Sequence, residues 1–444
     1  MWLSYEYQGE VVAGMDFIVQ ALSMFSKSFL FTFGNFIFWL VVLLVGFQYK
    51  KAVGMEVKMF GVPKNNVLRQ TFISAGFGIL GGILASIMLI MVGISLEQVG
   101  IIFLWPLAIF FMFINPRYIC FAYAGGIIGF LSIVLKGLSP YFTYNAVLSE
   151  LANINVPGLM ALIGILHLTE SMLIALSGHI GVSPLFIKNN SGQVVGGFSL
   201  QKFWPLPIVG LITLLVPEAV QQLPQGMEMP TWWPLLGSPQ AIEEGKRAVF
   251  LMLPIAAGLG YGDISISSFP REKSLRSAKN LSGYSLLLLG LAIAAYYRIE
   301  LMLLAVIFAP LGHEYLIVKG NREEFSKEPI FISPEKGIKI LDTLPKYPGH
   351  KAGLSSGDVI HRINDCIIES RSDLNRCIQS DEKHFTLWVE KSSGKKVKYR
   401  LTMDSSPKKL GIILVPDSET STYVELKHRS PFDSLKNRLS RKKK

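Results

Sequence analysis

The chain has 444 residues, half of them apolar, and only 17% of them are charged. Soluble domains carry roughly 25% charged residues, and the mean hydropathy here is +0.40, so the composition excludes an ordinary soluble protein and predicts a membrane protein. The formal net charge of +11 is concentrated in short loops and in the segment after Lys319.

Residues 1–28 are moderately apolar, and several polar side chains interrupt them. This pattern predicts an amphipathic helix at the membrane interface or a short re-entrant segment. Neither a basic n-region nor a small-residue cleavage site stands near the start, so no cleavable leader is expected. The chain has three cysteines, Cys120, Cys366 and Cys377, an odd number that gives no complete set of disulfide pairs. We therefore predict free thiols in a reducing compartment.

Nine apolar runs are long enough, or nearly long enough, to cross a bilayer as helices. They are residues 29–48, 75–96, 101–114, 118–135, 157–176, 203–216, 249–261, 281–297 and 301–318. The run at 203–216 contains Pro205 and Pro207, which predict a kinked helix. Between the fifth and sixth runs, residues 177–202 form a polar loop with short β-like stretches around an Asn-Asn-Ser-Gly turn. The fold class we predict is therefore a polytopic α-helical membrane domain over residues 29–318.

Two loops between these runs are basic, namely residues 50–69 and 271–279. The positive-inside rule places both in the cytoplasm. Alternation over nine spans then places the segment after Lys319 on the same side, and it places the Trp- and Pro-rich residues 218–245 outside. We expect a multi-pass protein of the cell membrane whose C-terminal region is cytoplasmic.

The C-terminal region divides into a charged linker (319–330), a small α+β module (331–416) and a basic tail (417–444) that we expect to be disordered. In the module, a glycine-led strand, Gly337–Ile340, precedes a Pro/Gly loop, a turn at Gly357-Asp358 and a second apolar strand. Further strands are expected at 385–391, 397–402 and 410–416. This order resembles a bacterial PDZ domain, and the resemblance implies that the leading strand offers a free edge to a partner's peptide.

Physical reasoning gives the leading strand the same role. Its glycine permits close backbone approach and an anion-binding nest, and its two isoleucines share one face of the strand. A helix predicted at 372–380 would form the opposite wall, with Leu374 in the core. The residues predicted to bind peptide are Gly337, Ile338, Lys339, Ile340, Arg371 and Ile378.

Membrane spans followed by a PDZ-like module also raise the possibility of an intramembrane metalloprotease, which needs His-Glu-x-x-His on one helix. The chain has His313-Glu314, but Ile317 stands where the second histidine belongs. His167 and Glu170 are close to one helical face, and with His313 and Glu314 they form a set that either holds a metal or hydrogen-bonds the helices together. We favour the second reading and predict no catalytic residue, no metal and no cofactor.

Other catalytic readings are weaker. The single Gly-x-Ser-x-Gly motif, Gly353–Gly357, precedes a strand and lacks the strand-to-helix elbow that a nucleophilic serine requires. The basic tail lacks the interleaved aromatic residues of a nucleic-acid surface, so no nucleic acid is expected. Its charges fit either attraction to anionic lipid or a solvated tail.

Taken together, the spans, the β-containing loop after the Glu170 helix, the Gly312–Tyr315 segment and the terminal PDZ-like module resemble the MinJ-type division-site determinants of Firmicutes. The resemblance implies a non-catalytic membrane scaffold with a lipid bilayer around it and two protein partners, a DivIVA-like scaffold and a MinD-like ATPase. The oligomeric state stays open. Two alternatives also stay open: an unusual intramembrane metalloprotease and a PDZ-regulated transporter.

Overall fold

The structure is a computed structural model that describes residues 19, 21–141, 145–189, 191–217, 233, 235–236, 246–403, 408–417 and 420–425. Residues 21–34 are helical, and the rest of the predicted amphipathic segment lies almost wholly outside the described residues. The predicted outer loop at 218–245 and the basic tail beyond residue 425 are likewise largely outside them.

The first three hundred residues are mainly helical. After the helix at 21–34 (α1), the helices are α2 (Phe36–Phe60), α3 (Val67–Val92), α4 (Ile101–Ile114), α5 (Phe121–Leu138), α6 (Ala146–Ala152), α7 (Val156–Ser177), α8 (Pro270–Tyr297) and α9 (Glu300–Ser326). Among the described residues, six of these are long and apolar enough to cross a membrane: α2, α3, α5, α7, α8 and α9. The prediction of a membrane protein with apolar helices is therefore confirmed.

Two of the nine predicted helical spans are wrong. The runs at 203–216 and 249–261 lie in strands β2 (Val194–Pro217) and β3 (Lys246–Ser265), which pair antiparallel along their length. A run of 14 residues spans only about 21 Å as a helix but about 46 Å when extended, and its prolines oppose a helix. The amide of Leu96, beyond the end of α3, donates to the carbonyl of Leu211 in β2, so the hairpin follows α3 to its far end.

The edge of β2 that faces α3 is adapted to an apolar setting. Pro205 and Pro207 have no N–H to leave unpaired, and their carbonyl oxygens lie against Gly78 and Gly82 of α3. A Cβ added at either glycine would lie 2.0 or 2.1 Å from the corresponding oxygen. Glycine is therefore required at both positions for the strand to lie on the helix.

Three further amides along this edge donate to polar side chains. These bonds run from Phe203 to the hydroxyl of Tyr49 (3.4 Å), from Val209 to the hydroxyl of Ser86 (2.8 Å) and from Thr213 to the carboxylate of Glu97 (2.8 Å). Because a bilayer core supplies no water to pair exposed backbone groups, these partners make a strand tolerable beside the apolar helices.

The predicted β-like stretches within 177–202 are confirmed. Strand β1 (Ser183–Lys188) pairs antiparallel with the start of β2 through a turn that includes Asn189 and Gly192. The first sheet has the order β10-β1-β2-β3, where β10 (Val424–Glu425) runs parallel to β1.

The C-terminal module is a second sheet with the strand order β8-β7-β5-β4-β9. Its elements are β4 (Ile338–Thr343), α10 (Pro348–Lys351), β5 (Val359–Ile363), β6 (Cys366–Ile367), α11 (Arg371–Ile378), β7 (His384–Glu390), β8 (Lys396–Thr402) and β9 (Ile412–Leu414). The predicted hairpin of residues 385–402 and the predicted last strand are confirmed. The predicted helix at 372–380 is confirmed as α11, which begins one residue earlier and ends two residues earlier.

The module packs on one end of the helical region. Lys64, in the α2–α3 loop, forms an ion pair with Asp342 of β4 and donates to the carbonyl of Val182, 2.9 Å away. The amide of Gly196 in β2 donates to the carbonyl of Phe331 at 2.9 Å. The first basic loop, the start of the first sheet and the module therefore lie at the same end of the molecule.

Glu324, near the end of α9, ties this helix to the turn between β3 and α8. Its side chain is 1% exposed and accepts the amides of Ile266, Ser267 and Ser268 at distances of 2.8, 2.7 and 3.1 Å. The guanidinium of Arg276 donates to the same carboxylate at 3.0 Å. The turn between β3 and α8 is thereby held against the helix that leads into the module.

Candidate functional site

Strand β4, which was predicted to be the open docking edge, is paired on both sides. Ile338 and Lys339 pair with β5, and residues Ile340, Asp342 and Thr343 pair with β9. The prediction of a free edge at Gly337–Ile340 is therefore wrong. Sequence reasoning expected a last strand at 410–416, but it did not predict that this strand would add to β4.

The side chains of that segment have structural roles. Ile338 and Ile340 are 8% and 0% exposed in the core of the module. Gly337 has φ +81°, and a Cβ there would lie 2.8 Å from the carbonyl oxygen of Ile360, so its glycine serves the close contact with β5. The ammonium of Lys339 donates to the carbonyl of Ile330 at 3.1 Å, toward the linker. Burial lowers the pKa of this ammonium.

The free edge of the sheet belongs to β9. Among the described strands, β9 pairs only with β4 and is the last strand on that side. Its side chains alternate, as a strand requires. Ile413 and Val415 belong to the core shared with the helical region, whereas half-buried Ile412 and Leu414 pack against the core of the module.

Helix α11 lies beside this segment and runs antiparallel to it. Arg371, at the start of α11, forms an ion pair of 3.5 Å with Asp417, just beyond β9. Beyond the other end of α11, the carbonyls of Ser380 and Glu382 accept from the ammonium of Lys408 at 2.5 and 2.7 Å. Strand β9 and helix α11 therefore lie side by side, and we call the space between them the β9–α11 groove.

Two predicted site residues lie on the helical wall. Arg371 is exposed at one end of the groove, while Ile378 is 5% exposed and belongs to the core with Leu374. Burial raises the pKa of the neighbouring Cys377 thiol, which therefore stays protonated and apolar. A capping box fixes the start of α11, in which the Ser370 hydroxyl accepts the amide of Asp373 at 3.1 Å.

The loop before β9 presents unused amides. Gly411 has φ +72°, and a Cβ there would lie 1.9 Å from the Cβ of Tyr347. The carbonyls of Leu410 and Gly411 accept from Gly349 and Leu344 at 2.9 and 2.8 Å. No described group accepts from the amides of Leu410 and Gly411 themselves. With Lys408 alongside, the loop has the donors and the positive charge that an anion requires.

A second set of polar side chains lies between the helices. His167 of α7 and His313 of α9 are brought together, with ring centroids 5.1 Å apart. Glu314 instead forms an ion pair with Arg117 and accepts the hydroxyl of Tyr123 at 2.7 Å. The four residues singled out in the sequence therefore do not form one cluster.

The third member of the histidine cluster is Cys120, which sequence reasoning treated only as a free thiol. Its Sγ lies 3.0 Å from Nε2 of His167 and 3.6 Å from Nε2 of His313. The available signal was its position directly after the Asn115-Pro116-Arg117 turn, at the N-cap of α5. Nothing in the linear spacing relates residue 120 to residues 167 and 313.

Comparison with known proteins supports the resemblance in layout. The chain is 25% identical over 275 residues to the cell division topological determinant MinJ of Bacillus subtilis (strain 168). The match covers 60% of this chain and 64% of MinJ, which is less than two thirds of that protein's length. No family model matches the chain. The similarity to MinJ-type proteins that the sequence layout indicated is thus confirmed.

Proposed function

We propose that this chain is a non-catalytic, multi-pass membrane adaptor in division-site placement, and that its C-terminal module is a PDZ domain that binds a partner's peptide in the β9–α11 groove. The similarity to a cell division topological determinant supports the process. The proposed binding site rests on one observation, namely that β9 is the free edge of the sheet and lies beside α11.

A strand edge and a helix together are suited to an extended peptide. The peptide would add to β9 as a further strand, so that main-chain hydrogen bonds supply affinity. Alternate side chains of the peptide would meet Ile412 and Leu414, which are half-buried and face away from the helical region. Selectivity would arise from how those side chains fit between the strand and α11.

The loop before β9 supports recognition of a chain end. A C-terminal carboxylate at the head of the groove would accept the unused amides of Leu410 and Gly411. The ammonium of Lys408 adds a favourable charge there. We therefore assign carboxylate recognition to residues 408–411 and withdraw it from the loop before Gly337, where the pairing of β4 leaves no free edge.

The proposed orientation rests on the basic segment between α2 and α3. Residues 50–69 and the module lie at the same end of the molecule, and the positive-inside rule places such a loop in the cytoplasm. The groove would then face cytoplasmic proteins. By resemblance to the MinJ-type family, those partners are a DivIVA-like scaffold and a MinD-like ATPase, with this chain as the bridge between them.

The experiment compares Ile412→Asp with Ile367→Asp in the full-length chain. Ile412 is half-buried on the groove strand, whereas Ile367 is 71% exposed on β6, so both variants introduce the same charge on the same module. Affinity purification from membranes, and the position of a fluorescent fusion in dividing cells, are the two readouts.

Ile412→Asp should weaken partner recovery by about tenfold or more, equivalent to about 1.4 kcal/mol, because a carboxylate would have to be buried under the bound peptide. It should also disperse the fusion from division sites. Ile367→Asp should behave like the original chain. Equal recovery and localisation for the two variants would refute the groove, while loss of membrane insertion in either would be detected by fractionation.

A further inference from the structure

Three helices bring three metal-ligating side chains to one point. Cys120 stands at the N-cap of α5, His167 lies in the middle of α7, and His313 lies in α9. Their ligand atoms all lie within 4.8 Å of one another. His167 is 4% exposed, and the other two side chains are partly buried. His167 and His313 are 47 and 193 positions from Cys120 along the chain. Only the packing of the helices brings the three side chains together.

Hydrogen bonds fix both imidazoles with Nε2 toward the cysteine. Nδ1 of His167 donates to the carbonyl of Ile163, one turn earlier on α7, at 2.8 Å. Nδ1 of His313 lies 3.3 Å from the hydroxyl of Tyr123, which donates its own proton to Glu314 at 2.7 Å. Nδ1 of His313 is therefore the donor in that pair. Each Nε2 is then unprotonated, which is the form that binds a metal, and outer hydrogen bonds of this kind orient the ligands of metal sites.

The distances between the cysteine sulfur and the two imidazole nitrogens can be compared with those of a tetrahedral zinc site. Zinc binds a thiolate at about 2.3 Å and an imidazole nitrogen at about 2.0–2.1 Å, which places the two ligand atoms about 3.6 Å apart in a tetrahedral site. The corresponding distances from Sγ of Cys120 to the two Nε2 atoms are 3.0 and 3.6 Å. The second distance equals the tetrahedral value, and the first is shorter than it by roughly half an ångström.

We propose that Cys120, His167 and His313 form a zinc site that pins α9 to α5 and α7. Zinc takes such mixed cysteine and histidine sets, and three protein ligands leave a fourth position for water. Binding replaces the thiol proton of Cys120, which is released to solvent. Because α9 continues into the linker before the module, the ion would fix the helix on which the module stands. This site is independent of the β9–α11 groove.

The first measurement is the zinc content of the full-length chain, purified in detergent from cells grown with added zinc. We expect about one equivalent of zinc per chain. Cys120→Ala and His313→Ala should reduce it at least tenfold, whereas Cys120→His, which restores a ligand, should retain it. Cys366→Ser is the matched control, since Cys366 is an exposed cysteine of the module, and its zinc content should equal that of the original chain.

Cobalt identifies the thiolate without depending on variants of the site. In the Cys366→Ser/Cys377→Ser chain, Cys120 is the one remaining cysteine of the three. Addition of Co²⁺ to this chain should give a near-ultraviolet thiolate-to-cobalt absorption and tetrahedral visible bands. The absence of that absorption, or less than a tenth of an equivalent of zinc in the original chain, would overturn the proposal. Zinc retained undiminished by Cys120→Ala would do the same.

Discussion

The contact between α3 and β2 can be tested with a single added methyl group. In Gly82→Ala, the new Cβ would lie 2.1 Å from the carbonyl oxygen of Pro207 and 2.9 Å from its carbonyl carbon. Those atoms belong to the backbone of a paired strand and cannot rotate away. A comfortable carbon–oxygen contact needs about 3.3 Å, so helix and strand must separate by roughly 1.2 Å.

The separation affects a hydrogen bond one turn further along the helix. Ser86 is fully buried, and its hydroxyl accepts the amide of Val209 at 2.8 Å, which a shift of that size would break. An unpaired buried amide costs about 1–3 kcal/mol, and overpacking costs about 1–3 kcal/mol. Alanine is better than glycine in a helix by about 1 kcal/mol. The net loss in the free energy of unfolding is therefore about 3 kcal/mol, within a range of about 1–5.

The matched control is Gly76→Ala, six residues earlier on the same helix. A Cβ at Gly76 would have no atom within 4 Å, so this change should be neutral or stabilise the chain by up to about 1 kcal/mol. Thermal unfolding of both variants in one detergent, followed by tryptophan fluorescence, is the measurement. If the two midpoints coincide, β2 does not lie on α3 as described, and the account of the hairpin fails.

Two further substitutions, each with a matched control, test the contacts of Glu324 in α9 and of Gly411 before β9. Glu324→Leu removes the acceptor of three amides and one acceptor of the Arg276 guanidinium, so it should cost about 3–5 kcal/mol in the free energy of unfolding. Glu323→Leu, whose ion-pair contacts are 3.9 Å long, should cost less than about 1 kcal/mol. Equal melting temperatures for the two variants would contradict the role of Glu324. Gly411→Ala combines a positive φ with a clash against Tyr347 and should abolish hydrogen-exchange protection of β9. Gly394→Ala has φ +81° but open space, so it should cost only about 1–2 kcal/mol and leave that protection intact.

Local patterning was sufficient to predict much of this fold. Apolar runs of twenty or so residues located α2, α3, α5, α7, α8 and α9, because a helix of that length matches a bilayer. Local patterning failed for β2 and β3, because a short apolar run fits either a buried strand or a segment of helix. Pro205 and Pro207 were taken as helix kinks. Their actual role, removing amides from a strand edge, depends on the position of α3, which no local signal specifies.

For the candidate site, the predicted elements are present, but their pairing differs from the prediction. Sequence reasoning located the module, the strand at 410–416 and the helix that forms one wall, but it assigned the open edge to the segment beginning at Gly337. Strand order depends on contacts between residues some seventy positions apart, as in the pairing of Ile340 with Leu414. The same limit hid Cys120, whose relation to two histidines exists only after three helices pack together.

Successive side chains of β9 point to opposite faces of the sheet, which explains why the groove would lie on the side away from the helices. Ile413 and Val415 are 6% and 4% exposed and share a core with the helical region, so that face of the strand is committed to docking. On the opposite face, Ile412 and Leu414 pack against the core of the module, to which Leu374 and Ile378 of α11 belong. A peptide added to the edge would therefore extend a sheet that is already fixed to the helices, and its direction relative to them would be set by the strand. An adaptor that positions a partner needs this property, because a module on a flexible linker would capture the partner without orienting it.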